Sequence, residues 1–187
     1  MNDERPRDEA GGRTIWLTGL SGAGKSTVAR MLAAELRGRG ERVEVLDGDV
    51  VRASLSEDLG FSREDRETQA RRVAFVADLL SRNGVTVIVA VISPYRHTRD
   101  EARALLGDRF VEVYVRASVQ VCARRDVKGL YRRAFAGELR AFTGVSDPYE
   151  EPLNAEVVLD TEAQTPEASV TCVLAHIDAR SEATGSI

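Results

Sequence analysis

Nine residues near the start of the chain have the types and spacing of a phosphate-binding loop. Residues 19–27 fit the pattern G-x-x-x-x-G-K-S/T. Glycines let backbone N–H groups approach phosphate oxygens, and the helix that follows adds partial positive charge. Lys25 would reach the β- and γ-phosphates of a nucleoside triphosphate, and the Ser26 hydroxyl would ligate Mg²⁺. The predicted triphosphate-binding residues are Gly19, Leu20, Ser21, Gly22, Ala23, Gly24, Lys25, Ser26 and Thr27.

Two aspartates follow the second β-rich run of the chain, in Leu46-Asp47-Gly48-Asp49. Ligands of open parallel sheets bind beyond the carboxyl ends of the strands, so these carboxylates are expected beside the phosphate-binding loop. One of them can hold Mg²⁺ through water, and the other can orient or deprotonate an attacking hydroxyl. The alternative is a polar turn, because Asp-Gly is a common turn dipeptide.

The third β-rich run ends in a further group of polar residues, Ser93-Pro94-Tyr95-Arg96. Ser93 could contact a phosphate, carry a phosphate itself or cap the next helix. Arg96 and Arg99 could clamp phosphates or form surface ion pairs. By itself this segment leaves these alternatives open.

The elements that must position these residues can be read from the hydrophobic pattern. The β-rich runs are 14–18, 42–46, 85–92, 110–115 and 156–159, and helical patterns lie between them. This alternation predicts an α/β fold, with a five-stranded parallel sheet and helices on both faces. Residues 126–152 are rich in Gly, Arg and aromatic residues and have weak periodicity, which is typical of a functional lid.

Composition limits the classes of protein that remain. The net charge of −4 and the pI near 5.4 argue against a nucleic-acid or membrane-surface binder. No apolar run is long enough to cross a bilayer, and residues 1–13 lack an apolar signal core, so we expect a cytoplasmic enzyme. We predict a disordered tail over residues 1–12, one domain over 13–178 and a flexible tail over 179–187.

Taken together and in order along the chain, the motifs resemble those of adenylylsulfate kinase, also called APS kinase. Besides residues 19–27 and 46–49, the matching segments are Asp-Leu-Gly-Phe-Ser (58–62), Asp65-Arg66, Ile-Ser-Pro-Tyr-Arg (92–96), Lys-Gly-Leu-Tyr (128–131), Gly-Glu-Leu (137–139), Phe-Thr-Gly (142–144) and Asp-Pro-Tyr-Glu (147–150). The similarity covers about residues 13–178. The phosphate-binding loop is shared with many families, whereas the segments from Ile92 onward are much more specific.

The resemblance implies a three-layer P-loop kinase fold, a homodimer and a possible ATP sulfurylase partner. It implies phosphorylation of the 3′-hydroxyl of adenosine 5′-phosphosulfate (APS) by MgATP, which yields PAPS and ADP. Asp49 would orient or activate that hydroxyl, and Ser26 and Asp47 would hold Mg²⁺. Ser93 matches a serine that is often phosphorylated, although in-line transfer needs no covalent step. Residues 126–152 would be the lid over both nucleotides. The acceptor nucleotide would contact Asp49, Arg52, Phe61, Arg66, Gln69, Ile92, Ser93, Lys128 and Phe142.

The chain also departs from the family's usual residues, and the departures gather on the acceptor side. They include Val50 and Gln69, where the family usually has Asn, together with Ala53 and Ala70. A lost or shifted polar contact can redirect substrate preference. A second hypothesis is therefore a related kinase that phosphorylates another nucleotide or small-molecule hydroxyl. A third, a nucleotide-binding switch, is disfavoured because the guanine signature Asn-Lys-x-Asp does not occur.

Overall fold

The computed structural model describes residues 12–184. They form one five-stranded, all-parallel sheet with the strand order β2-β3-β1-β4-β5. The strands are β1 (Thr14–Thr18), β2 (Val43–Asp47), β3 (Thr86–Ala90), β4 (Phe110–Arg116) and β5 (Val157–Asp160). The helices are α1 (Lys25–Gly38), α2 (Gly48–Leu55), α3 (Arg63–Ser81), α4 (Arg96–Leu106), α5 (Val119–Arg125), α6 (Leu130–Phe135) and α7 (Pro166–Thr184).

The central strands are buried on both faces because their side chains alternate between two apolar clusters. Ile15 and Leu17 of β1 enter the cluster beneath α1 and α7. Trp16 points to the opposite face, where it packs with Val73 of α3 and Leu106 of α4. The continuous apolar runs of the sequence therefore correspond to strands covered by helices on both sides. Full burial of each such side chain contributes about 1.5–3 kcal/mol to folding.

Local sequence determines where the helices near the sheet's carboxyl edge begin. Asp47 caps α2 by accepting a hydrogen bond from the backbone N–H of Asp49 at 3.1 Å. Ser62 and Asp65 form a reciprocal capping box at the start of α3. Asp126 accepts hydrogen bonds from the backbone N–H groups of Tyr131 and Arg132 and so fixes the first turn of α6, within residues 126–152. These caps place the first turns of the three helices around one cavity.

The predicted fold class is confirmed, and the strand bounds differ from prediction by a few residues at most. The last helix extends to Thr184, past the predicted start of a tail at residue 179. Arg180 anchors this last part by donating hydrogen bonds to the carbonyl oxygens of Asp108 and Phe110. Of the tail predicted over residues 1–12, only the buried Gly12 is described, and the rest, like residues 185–187, lies outside the described residues.

Candidate active site

A cavity of about 710 Å³ opens at the carboxyl ends of the strands. Its walls are the phosphate-binding loop, the first turns of α2 and α3, the turn after β3 and residues 126–152, which we name the lid segment. Every predicted site residue lines this cavity except Gly19 and Leu20. The rule that places ligands at the carboxyl edge of a parallel sheet therefore predicted the end of the molecule at which this cavity opens.

The phosphate-binding loop needs glycine at both of its ends. A Cβ on Gly19 would lie 2.3 Å from the carbonyl oxygen of Val115, so no side chain fits there. Gly24 has a φ of 109° and is the N-cap of α1, whose first N–H groups receive no side-chain cap. The first turn of α1 also contains no acidic residue. No side-chain cap and no carboxylate of this turn therefore competes with an anion at the start of α1.

Lys25 is directed along the inside of the loop. Its side chain is buried, and its ammonium donates hydrogen bonds to the carbonyl oxygens of Gly19 and Leu20, both at 2.8 Å. Burial lowers the pKa of Lys25 to about 8. Gly19 and Leu20 thus act behind the cavity wall, as partners of the lysine, rather than at the surface of the cavity.

Ser26 and Asp47 form the pair that fits a magnesium ion. The Ser26 hydroxyl donates a hydrogen bond to Oδ2 of Asp47 at 2.6 Å, so the two oxygen ligands already lie side by side. Within residues 12–184 there is no cluster of three or more His, Cys, Asp or Glu side chains that could hold a metal. Mg²⁺ needs no such cluster, because it is usually held by one or two protein oxygens with phosphates and water. The donor set therefore fits Mg²⁺ bound together with a nucleotide.

Asp49 meets the lid segment across the cavity. It lies in the first turn of α2, and its carboxylate accepts a hydrogen bond from the ammonium of Lys128. Both side chains remain more than half exposed. A carboxylate and an ammonium are thus presented together at the position between the phosphate-binding loop and the opposite wall.

The opposite wall is aromatic and positively charged. The guanidinium of Arg52 lies 4.4 Å from the ring centroid of Phe61 and donates to the carbonyl oxygen of Gly60 at 2.7 Å. Its other terminal nitrogen donates to the side-chain oxygen of Gln69. Burial is the main cause that lowers the pKa of Arg52, and the positive charge of Arg66 lowers it further. Two partly desolvated cations close together make this wall attractive to an anion.

Arg66 joins the aromatic wall to the lid segment. Its Nε donates to the carbonyl oxygen of Phe61 at 3.0 Å, and its Nη2 donates to that of Ala141 at 2.7 Å. The next residue, Phe142, packs edge-on against Tyr131, with ring centroids 5.0 Å apart. Burial lowers the pKa of Arg66. One guanidinium therefore sets the backbone spacing between the segments that carry the two cavity-lining phenylalanines.

Of the three residues considered after β3, only Ser93 lines the cavity. It is buried, and its hydroxyl accepts a hydrogen bond from the indole N–H of Trp16 at 3.2 Å. Arg96 and Arg99 do not line the cavity, so neither clamps a phosphate there. Arg99 is 2% exposed, which also excludes a surface ion pair. These arginines instead bond the polypeptide that surrounds the site.

Sequence reasoning missed a further part of the cavity wall. Arg125 donates hydrogen bonds to the carbonyl oxygens of Gly22 and Thr161 at 3.2 and 2.6 Å. Thr161 follows β5 and donates to the carbonyl oxygen of Ala23 at 2.8 Å. The carboxyl-edge rule that located the aspartates after β2 applies equally to Thr161 after β5 and could have found it.

The positions that depart from the family pattern separate into two groups. Val50 is 63% exposed and lies outside the cavity lining, as does Ala53. Gln69 and Ala70 line the cavity. Any effect of these departures on the acceptor is therefore expected from α3 rather than from α2.

Comparison with known proteins agrees with this geometry. Residues 11–160 match the family model described as Adenylylsulphate kinase. The chain belongs to the adenylylsulphate kinase family. It is 59% identical over 160 residues to the adenylyl-sulfate kinase of Rippkaea orientalis, covering 86% of this chain and 88% of that protein. It is 54% identical over 167 residues to a probable bifunctional SAT/APS kinase of Sorangium cellulosum, covering 89% of this chain and 29% of that larger protein.

A solved adenylylsulphate kinase has the same fold. The structure of the Mycobacterium tuberculosis APS kinase CysC in complex with AMPPNP and APS superposes with a TM-score of 0.86 at 41% identity. The match covers 89% of this chain and 98% of that one. The predicted family and P-loop kinase fold are thereby confirmed, and the chain is an ATP-dependent kinase. In residues 12–184 no helix has the length and apolar character needed to cross a membrane.

Proposed function

We propose that this chain transfers the γ-phosphoryl group of MgATP to the 3′-hydroxyl of adenosine 5′-phosphosulfate, which yields PAPS and ADP. The observation that carries the proposal is the pair of anion-attracting walls on either side of Asp49. The phosphate-binding loop with Lys25 forms one wall, and Arg52 and Arg66 beside Phe61 form the other. Such a cavity suits two nucleotides whose reacting groups meet between the walls. The CysC relative, solved with AMPPNP and APS, supports this interpretation.

The residues of the chain account for each requirement of an in-line transfer. The acceptor oxygen attacks the γ-phosphorus, the bond from that phosphorus to the β,γ-bridging oxygen breaks, and ADP leaves. Asp49 orients the acceptor hydroxyl and takes up its proton. Lys25 and the N-terminus of α1 stabilise negative charge on the phosphates. Mg²⁺, held by Ser26 and Asp47, would neutralise further phosphate charge when bound.

The acceptor is held by stacking and by charge. Phe61 is 58% exposed, which leaves its ring available to a planar base, and Phe142 offers a second ring on the lid segment. Arg52, Arg66 and Lys128 supply positive charge for the phosphosulfate. Ile92 and Gln69 complete this wall. The lid segment excludes water, which would otherwise compete with the 3′-hydroxyl for the phosphoryl group.

Several further properties remain proposals of their own. The kinase domain is assigned to residues 13–178, and the enzyme is expected to act in the cytoplasm as a homodimer. A sulfurylase partner is supported by the probable bifunctional SAT/APS kinase of Sorangium cellulosum, because this chain matches only 29% of that larger protein. Light scattering of the purified chain, alone and mixed with an ATP sulfurylase, would measure both kinds of association.

An acceptor panel tests the proposal against its alternative. ADP release is followed with APS, adenosine 5′-phosphate, other nucleotides and small alcohols, and each acceptor is ranked by kcat/KM. We expect APS to be preferred by a wide margin. The alternative, a related kinase with another acceptor, is favoured by one observation, namely that Gln69 replaces the usual Asn and contacts Arg52 in the cavity wall. A higher kcat/KM with any other hydroxyl compound would establish that alternative.

A further inference from the structure

Arg99 is a buried arginine that the proposed chemistry does not use. It lies on α4, is 2% exposed and donates three hydrogen bonds in three directions. Its Nε donates to Oε1 of the buried Glu112 on β4 at 2.7 Å. Its Nη1 donates to the carbonyl oxygen of Ser93 at 2.6 Å, and its Nη2 donates to that of Glu150 at 2.7 Å. One planar guanidinium thus joins the sheet, the turn after β3 and the end of the lid segment.

The backbone at Ser93 requires such support. Its φ of 43° lies in the left-handed region, which is unfavourable for a residue with a Cβ. A residue persists in this region only when its surroundings over-determine the conformation. Three side chains contact it here. Arg99 holds the Ser93 carbonyl and Trp16 holds the Ser93 hydroxyl. The Thr18 hydroxyl makes a longer hydrogen bond of 3.5 Å to the same carbonyl. Ser93 lines the cavity, so its conformation helps to shape the wall that would hold the acceptor, which we name the acceptor wall.

The end of the lid segment is fixed to the same turn. The backbone N–H of Glu150 donates to the carbonyl oxygen of Pro94 at 2.8 Å. The Glu150 carboxylate in turn accepts from the backbone N–H of Arg96 at 2.9 Å. The hydroxyl of Tyr95 donates to the carboxylate of Asp147 at 2.9 Å. The lid segment therefore has an anchored carboxyl end, and Arg99 lies beneath that anchor.

We propose that Arg99 is a positioning residue. It holds Ser93 in the left-handed conformation and fixes the carboxyl end of the lid segment to the acceptor wall, and through these two contacts it sets acceptor affinity without touching either nucleotide. The kinetic part of this inference rests on the proposed function. The conformational part does not, because it concerns only the backbone at Ser93.

The test combines Arg99→Lys with two substitutions at Ser93. Lysine keeps a positive charge for Glu112 but cannot donate hydrogen bonds to Glu112, Ser93 and Glu150 at once in the plane of a guanidinium. We expect the KM for APS to rise about tenfold in Arg99→Lys, while the dissociation constant for AMPPNP changes less than about twofold. Adding Ser93→Gly should recover the part of the loss that comes from the Ser93 backbone, because glycine adopts positive φ without penalty, whereas the lost contact with Glu150 stays lost. Adding Ser93→Ala, which removes the same hydroxyl but keeps the Cβ, should not.

Selective rescue by glycine supports the proposal. Equal rescue by glycine and alanine, rescue by neither, or an equal loss of AMPPNP affinity would overturn it. If Arg99→Lys does not fold, the two Ser93 variants are compared by thermal unfolding in the unmodified background. The glycine variant should then unfold at the higher temperature, and an equal or lower temperature would overturn the proposal. Failure of the unmodified enzyme to make PAPS, with glycine still the more stable variant, would overturn the proposed function alone.

Discussion

The ammonium of Lys128 donates a hydrogen bond to the carboxylate of Asp49, which brings the lid segment into contact with the first turn of α2. The two residues are 79 positions apart in the chain. Their contact means that movement of the lid segment changes the surroundings of the proposed base directly. Lid position and proton transfer are therefore expected to be coupled.

Asp49→Asn and Lys128→Met test this coupling. Asp49→Asn should lower kcat by about a hundredfold to ten-thousandfold, because the amide cannot accept the proton of the hydroxyl. Lys128→Met should have a smaller effect on kcat and raise the KM for APS. Because the two side chains contact each other, the effects should be less than additive in the double variant. Steady-state kinetics of the four proteins provides the measurement, and strictly additive losses would show that the contact has no role in turnover.

The lowered pKa of Lys25 predicts a pH dependence of ATP binding. A bound triphosphate favours the ammonium form and raises this pKa above about 8, so binding takes up a proton at higher pH. The affinity should be greatest below that pH and fall as the pH rises, by at most about tenfold per pH unit. Calorimetry in buffers with different ionisation enthalpies measures the proton uptake. Lys25→Arg is the control, since its guanidinium stays charged, and an unchanged pH dependence in that variant would assign the effect elsewhere.

The contact between Ser26 and Asp47 predicts the metal dependence. Ser26→Ala removes the hydroxyl that lies 2.6 Å from the Asp47 carboxylate. We expect the Mg²⁺ concentration for half-maximal activity to rise about tenfold, because one hard oxygen ligand is lost. Ser21→Ala removes a hydroxyl from the same loop and should leave the Mg²⁺ dependence unchanged. Titration of activity with Mg²⁺ at saturating substrates distinguishes the two, and identical curves would contradict the assignment.

Phe61 should act on the acceptor and not on ATP. Base–aromatic stacking is worth about 1–3 kcal/mol per base, so Phe61→Ala should raise the KM for APS by about tenfold to a hundredfold. The KM for ATP should hardly change. Phe75 is a matched control, because it is 61% exposed, close to the 58% of Phe61, but lies on α3 outside the cavity. Equal effects of Phe61→Ala and Phe75→Ala would refute a stacking role.

Much of the fold and of the site followed from local sequence. The apolar run over 85–92 predicted a strand covered on both faces, and β3 (Thr86–Ala90) is fully buried. Asp47 and Asp49 were placed beside the phosphate-binding loop by the carboxyl-edge rule alone. The rule succeeds because parallel strands bring all their carboxyl ends to one edge.

Other features depend on contacts between distant residues and leave no local pattern. Arg99 was considered as a phosphate clamp or a surface ion pair, whereas its partners Glu112 and Glu150 come from β4 and from the lid segment. Arg66 was assigned to the acceptor by resemblance, but its bonds to the carbonyl oxygens of Phe61 and Ala141 appear only in three dimensions. Val50 was grouped with the acceptor side because it departs from the family's usual Asn, yet it is exposed and lies outside the cavity lining, since successive helical residues point in different directions.

The most direct test of the account compares APS with its 3′-deoxy analogue. With [γ-³²P]ATP and APS, we expect one ADP per labelled PAPS, with the label on the 3′-oxygen. The 3′-deoxy analogue retains the base, the phosphosulfate and the 5′-linkage, so it should bind as a competitive inhibitor against APS and stimulate no ADP release. Label at another position of APS, or ADP release with the 3′-deoxy analogue at a rate equal to that with APS, would contradict the proposed transfer.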